Sequence, residues 1–292
     1  MTPPNPKPRK IMTNASLSEL KAIASQVEQD PRAARKALRR LAPDLPQTAP
    51  VQTALGMTYI SLDQPRDAMR AFKRAIELDA VDPVPRYQLG VLQSDQGLLP
   101  QAEENLRVAV EATPDDPDYL SALGFNYYRA GKNDQAVETL EKALAAGAEN
   151  ENAFIALGYL YYEADRLDDS RDAFARILDL DPDRGDVYNN MGYIDILRGE
   201  LQEAEQELTT CLEKDDAYLR ARYNLALIAW LQGEQEKAID LYKEARRNDR
   251  GDAELQQHIA DLDEVATHYD EDKQLTALEN KLIVAVKTGR LK

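Results

Sequence analysis

Two histidines, one cysteine and a short run of alternating aspartates are the residues whose chemistry is tested first. His258 and His268 stand ten apart. Metal-binding histidines on one helix face stand at i and i+4, so this pair reads as surface or packing residues. Cys211 is the one cysteine. With no second thiol in the chain, neither a disulfide nor a thiolate metal site can be built within it, and Cys211 reads as a small buried hydrophobe. Asp179, Asp181 and Asp183 alternate like the start of a calcium loop. But Pro182 intervenes, Gly185 comes one place late, and Asn190 stands where a bidentate glutamate is required. The stretch reads as a turn. No catalytic residue, metal ligand or cofactor site is assigned, and the chain is expected not to be an enzyme.

The glycines show what the chain is built for. Gly56, Gly90, Gly124, Gly158 and Gly192 are each 34 residues from the last, and a fixed period of this length is the mark of a repeat array. Leu55, Leu89, Leu123, Leu157 and Met191 precede them. Twelve residues after each glycine comes Ala68, Ala102, Ala136, Ser170 or Ala204, and four further on Phe72, Leu106, Leu140, Phe174 or Leu208. A sixth unit repeats the pattern with Leu225, Ala238 and Tyr242. Apolar residues three and four apart make both halves of each unit amphipathic helices. Small residues fall where two helices must approach closely. Gly97, Gly131, Gly199 and Gly233, with Asp63 and Asp165 in the other two units, mark the turn between helices, where a left-handed residue ends the first. Asp82-Pro83 and Asp116-Pro117 read as an N-cap followed by proline at the first helical position.

Residues 123–144, LGFNYYRAGKNDQAVETLEKAL, resemble the tetratricopeptide repeat closely. The resemblance implies an all-α, right-handed α-solenoid of antiparallel helix pairs. It divides the chain into a disordered N-terminal arm at 1–14, a degenerate capping repeat at 15–48, and six repeats at 49–82, 83–116, 117–150, 151–184, 185–218 and 219–252. Two C-terminal capping helices fill 253–292, since an open hydrophobic end needs a cap. Length alone would suggest two domains, although a repeat array can run this long as one body.

The resemblance also implies where a partner binds. The first helix of each pair lines a concave groove, and contacts fall at positions 2, 5, 6, 9, 12 and 13 of the repeat. Position 5 gives Tyr87 and Tyr223, and position 6 gives Gln88, Asn190 and Asn224. Position 9 gives Phe125, Tyr159 and Tyr193, and position 12 gives Tyr128, Tyr162 and Trp230. Tyrosine offers large contact area with a polar tip, and side-chain amides can pair with a bound backbone. Such a surface suits an extended peptide or a short helix. Equally, the consensus favours several of these residues for packing alone, and Tyr59, Tyr127 and Tyr161 at position 11 read as purely structural. Position 5 carries no lysine and position 9 no asparagine, so the family's carboxylate clamp for chaperone tails is not expected.

Charge bounds the rest. The chain carries −16 overall, which argues against nucleic-acid binding driven by phosphate contacts. Residues 1–48 carry +5 and residues 49–292 carry −21. Residues 32–41, RAARKALRRL, read as a basic amphipathic helix completing the capping repeat. No stretch approaches the roughly 18 apolar residues of a membrane span, and the proline-rich start lacks the apolar core of a secretory signal. A cytoplasmic protein is expected, one that holds a partner protein in its groove as a scaffold or adaptor. The alternatives are a self-associating scaffold joined through its terminal repeats, and an accessory subunit of a larger enzyme or cell-envelope complex.

Overall fold

The computed structural model describes residues 7–269 and 272–288. Among these the chain is all α-helical, with no strand. It divides into two compact units, residues 1–153 and 154–292. The division falls beside the connection 146–150, where Gly147 takes φ 90°; the other connections between pairs contain no left-handed residue until Gly251 and Asp252.

Residues 1–153 begin with α1 (Lys7–Gln26) and α2 (Pro31–Leu41), followed by a 3-10 turn. Of the arm expected at 1–14, residues 1–6 lie outside the described residues. From Lys7 onward the segment is helix rather than disordered arm, because Leu20 and Ile23 on the same helix are buried against Leu38, Val51 and Leu55 and order it. Asp30 caps α2, accepting from the Arg32 and Ala33 amides. Three helix pairs follow: α3 (Ala49–Ser61) with α4 (Pro65–Leu78), α5 (Pro83–Asp95) with α6 (Leu99–Ala112), and α7 (Pro117–Arg129) with α8 (Asn133–Ala145). Asp82 and Asp116 cap α5 and α7 through their carboxylates, ahead of Pro83 and Pro117.

The second unit takes almost all of α9 (Glu151–Glu163). It continues with α10 (Leu167–Leu180), α11 (Gly185–Leu197), α12 (Leu201–Lys214), α13 (Leu219–Leu231) and α14 (Gln235–Asn248). Then come α15 (Ala253–His268) and α16 (Asp272–Thr288). The core joins Leu208, Cys211, Leu227, Trp230 and Tyr242 to Leu255, Leu262 and Val265 of α15 and Leu275, Leu278 and Leu282 of α16. Cys211 is fully buried, and burial pushes its thiol up to about 12, so it is an inert packing residue.

In the five pairs from α3–α4 to α11–α12 the helices cross at the glycine, and α13 carries Ala226 in its place. A Cβ on Gly56, Gly90, Gly124, Gly158 or Gly192 would lie 2.5 to 2.8 Å from the ring or branch of Phe72, Leu106, Leu140, Phe174 or Leu208. The turn that returns the chain is equally uniform. Asp63, Gly97, Gly131, Asp165, Gly199 and Gly233 all take positive φ, and the next amide donates to the carbonyl five residues back, as Lys132 does to Tyr127 at 2.9 Å. This is the Schellman closure.

Gly124→Ala should destabilise the first unit by about 1–3 kcal/mol, the cost of overpacking a filled core, because the new methyl would meet Leu140 Cγ at 2.6 Å and its backbone N at 3.2 Å. Chemical denaturation checks this; adding Leu140→Ala to the variant should recover less than Leu140→Ala alone costs, and a neutral Gly124→Ala would refute the crossing constraint.

Candidate functional site

The expected contact residues divide between the two units. In residues 1–153, Tyr87, Gln88, Phe125 and Tyr128 are all half-buried on first helices. The Tyr87 ring lies 4.7 Å from that of Tyr119, and Phe125 lies 6.1 Å from Tyr128. Tyr87, Val91, Asp95, Asp118, Ser121 and Phe125 line a cleft of about 100 Å³. These residues occupy positions 2, 5, 9 and 13 of successive repeats. Burial, with Asp118 and Asp116 nearby, raises the Tyr87 hydroxyl pKa, so it remains a neutral hydrogen-bonding group.

In residues 154–292 the arrangement is different. Tyr159 is 39% exposed and accepts a hydrogen bond from Asn190 Nδ2 at 3.1 Å. Tyr162 and Tyr193 are half-buried, 6.4 Å apart, and both hydroxyls donate to the Glu264 carboxylate of α15, Tyr193 at 2.9 Å. Burial and the carboxylate raise both phenol pKa values. Glu264 thus sits where a guest's side chain was expected. The Tyr269 hydroxyl donates to the Ile196 carbonyl, and Arg220 on α13 bonds Glu254 on α15 at 2.9 Å. The helix expected as an end cap therefore also lies along the first helices α11 and α13 and reaches Tyr162 on α9.

Three expected contact residues are corrected by this packing. Tyr223 is fully buried; its hydroxyl donates to Asp249 at 3.0 Å and its ring stacks on Tyr242 and His258. Asn224 is buried and donates to Asn189 at 3.3 Å. Trp230 is buried in the core of this unit. Tyr223 and Trp230 face no open groove, because the α15–α16 pair covers the last repeat; Asn224, held by α11, reaches only the pocket beside α15.

What remains is a pocket of about 210 Å³ between α15 and the first helices. Its aromatic side is Tyr159, Tyr162 and Tyr193, and its polar side is Arg220, Glu254 and Asp261. Desolvation, reinforced by Glu264 and Glu254, pushes the Asp261 carboxyl up, against a hydrogen bond from Gln257 and the charge of Arg220. His258 also touches the pocket; it is buried and shares a 2.8 Å hydrogen bond with Tyr242, and burial lowers its pKa to about 3. Asp261, Glu264 and Glu254 were not read as site residues, since nothing in the repeat pattern says where α15 lies. Another buried acid, Asp195 on α11, is held by Arg171 at 2.9 Å and Arg198 at 2.9 Å. It stands at position 11, the place of Tyr59, Tyr127 and Tyr161. Among the described residues, no group of three or more His, Cys, Asp or Glu is placed to hold a metal ion, and Asp183 instead accepts a bond from Lys214.

Family profiles described as tetratricopeptide repeat match residues 59–124, 127–191 and 198–253, well over half of the chain. The chain belongs to the tetratricopeptide repeat family. Tetratricopeptide proteins are protein-interaction scaffolds. No curated protein matches the sequence. Among solved structures, the fold is similar to that of YrrB, described as a tetratricopeptide protein with an unusual peptide-binding site. That match has 21% identity and a TM-score of 0.57, covering 73% of this chain and 99% of YrrB. PilF of Pseudomonas aeruginosa aligns at 18% identity and a TM-score of 0.59, covering 73% of this chain and 97% of PilF. PilW, a type IV pilus biogenesis factor, aligns at 17% identity and a TM-score of 0.57, covering 72% and 97%. At these identities the likeness is one of fold. No helix among the described residues is long and apolar enough to cross a membrane.

The buried histidine gives a pH dependence of definite sign. Between about pH 6.5 and 3 the unfolded chain binds a proton at His258 that the folded chain excludes. Its contribution is therefore intact above pH 6.5 and is lost as pH falls, by at most about 1.4 kcal/mol per pH unit. Urea unfolding followed by fluorescence of Trp230, the one tryptophan, at pH 7, 6 and 5 should show a shallower acid loss in His258→Gln than in the parent. Parallel pH profiles would refute the assignment.

Proposed function

We propose that the chain is a non-enzymatic adaptor that receives an extended peptide or short helix of a partner protein on the first-helix face. The six repeats at 49–252 supply that face; the segments at 15–48 and 253–292 cap its ends. The observation that carries the reading is the cleft of residues 1–153. It is lined by the positions through which tetratricopeptide proteins contact ligands, and it presents Tyr87 and Phe125 from adjacent pairs. Aromatic side chains supply contact area with few rotamers to freeze, and Asp95 and Asp118 at the rim supply acceptors for backbone amides. The pilus-assembly role of PilW and the peptide-binding site of YrrB agree with a scaffold of this kind.

A displayed peptide library panned on the full chain should yield binders that a Tyr87→Ala/Phe125→Ala variant binds at least about tenfold more weakly, the loss of two aromatic contacts, with its helix content and unfolding midpoint near the parent's. Unchanged affinity in the double variant would refute the cleft as the docking surface.

A second reading, self-association, is favoured by one surface. Arg32, Lys36, Arg39 and Arg40 are all exposed along α2, while exposed acids such as Glu104, Asp168, Asp172 and Glu203 stand on second helices elsewhere. Pairing between copies through these faces would be screened by salt. Light scattering should then give a larger mass at about 10 mM than at about 1 M salt, where the Debye length falls from about 30 to 3 Å. A monomer at both would remove the reading.

A further inference from the structure

The pocket beside α15 carries a charge imbalance that identifies its guest. Arg220 and Glu254 neutralise each other at 2.9 Å. Asp261 accepts a hydrogen bond from the neutral Gln257 amide at 2.9 Å and feels the charge of Arg220; Glu264, outside the lining, is held by two neutral phenols. His258 is neutral because burial strips its proton. No lysine, and no arginine besides Arg220, lines the pocket among the described residues. Among the described residues Arg220 is thus the one cation on a lining that carries two carboxylates, Glu254 and Asp261, and its short bond goes to Glu254, so the wall keeps one carboxylate in excess. The remaining wall is the rings of Tyr159, Tyr162 and Tyr193, whose faces attract a cation through their quadrupole. Asn190, held by the Tyr159 hydroxyl, adds a side-chain carbonyl at the same wall.

We propose that this pocket takes the guanidinium of an arginine presented by a partner protein. The assignment rests on the reading of the first-helix face as a docking surface and names the side chain recognised there. Arginine fits better than lysine on two grounds. Its planar fork can meet a carboxylate through two parallel bonds, and it stacks on aromatic rings with a weaker hydration shell to lose. Desolvation of the Asp261 carboxyl, which Arg220 relieves only in part, is then offset further on binding by the guest's charge. The two units would read different features of a partner: aromatic contact area at Tyr87 and Phe125, and positive charge at Asp261.

The test uses full-length protein with 13C-labelled tyrosine and four probes: capped Gly-Arg-Gly, Gly-Lys-Gly and Gly-Glu-Gly, and free agmatine. Gly-Arg-Gly should shift the Tyr159, Tyr162 and Tyr193 resonances at lower concentration than Gly-Lys-Gly, and Gly-Glu-Gly should leave them unmoved. Asp261→Asn should weaken Gly-Arg-Gly at least about tenfold, whereas Glu213→Gln, which removes an exposed charge on α12, should not. Equal shifts from all tripeptides, or an Arg response unchanged by Asp261→Asn, would overturn the assignment. Agmatine binding tighter than Gly-Arg-Gly would overturn its assignment to a peptide side chain. None of these outcomes touches the Tyr87 and Phe125 experiment, which reads the other unit.

Discussion

Five of the helix pairs depend on one contact, the backbone of a glycine on the first helix lying against a large side chain of the second. Phe72, Leu106, Leu140, Phe174 and Leu208 reach so near their glycines that a methyl group would overlap them. Close approach fixes the crossing point, and the crossing point fixes which residues of the first helix turn inward. Position 8 must be small, a glycine in five pairs and Ala226 in the sixth, and position 24 must be large. Position 20 must be small, and Ala68, Ala102, Ala136, Ser170, Ala204 and Ala238 are all fully buried. Positions 5, 9 and 12 then fall beside that crossing, about 40 to 100° round the first helix from the glycine. A binding face is a geometric consequence of how the pair packs, before any residue on it is selected for a ligand.

The same logic explains where the pattern gives way. At position 11 a tyrosine packs over the turn in three repeats, with Lys132 over Tyr127 and Arg166 over Tyr161. Position 11 of α5 is Gln93, and its carbonyl instead accepts from Asn105 at 2.9 Å. In α11 it is Asp195, wholly buried between Arg171 and Arg198. A buried carboxylate is tolerable only with its charge answered, so the exchange of tyrosine for aspartate required two arginines, one on α10 and one in the turn after α11. Two positions one helix apart thus carry unrelated chemistry on a common backbone. That is why fold and function are read separately in such arrays.

Legibility in the sequence followed how local each contact was. Helix pairs, proline-led caps and left-handed turns are settled within about 34 residues, and the spacing of Gly56 to Gly192, Asp82-Pro83 and the Asp63 and Asp165 turns declared them. The face carrying Tyr87 and Phe125 was legible because it follows from the pair alone. Tyr223 and Trp230 were misplaced because their surroundings include α15 and α16, which keep no repeat register. Nothing in Leu255, Leu262 and Val265 specifies which surface they cover; they declare only that some surface is covered. The contact of Glu264 with Tyr162 spans 102 residues, and no local spacing encodes a contact of that kind. The early helix at Lys7 was hidden by prolines in the preceding segment, whose composition suggested an arm.

A non-repeating helix laid on a repeating surface changes what the surface can do. Repeats alone offer similar shallow contacts at every register, which favours adaptable recognition. Where α15 crosses α11 and α13, it supplies a wall bearing Glu254 and Asp261, and the shallow face deepens into a defined pocket. Acids that would be well solvated on an outer helix are here partly withdrawn from water, and this raises the worth of any cation that enters. Glu264 is already satisfied by two phenols, so it anchors the helix as well as contributing charge. Asp261, one turn earlier on the same helix, accepts from the neutral Gln257 amide. The division of work between neighbouring carboxylates, one fastening the wall and one left to meet a guest, follows from which of them the tyrosines of α9 and α11 can reach.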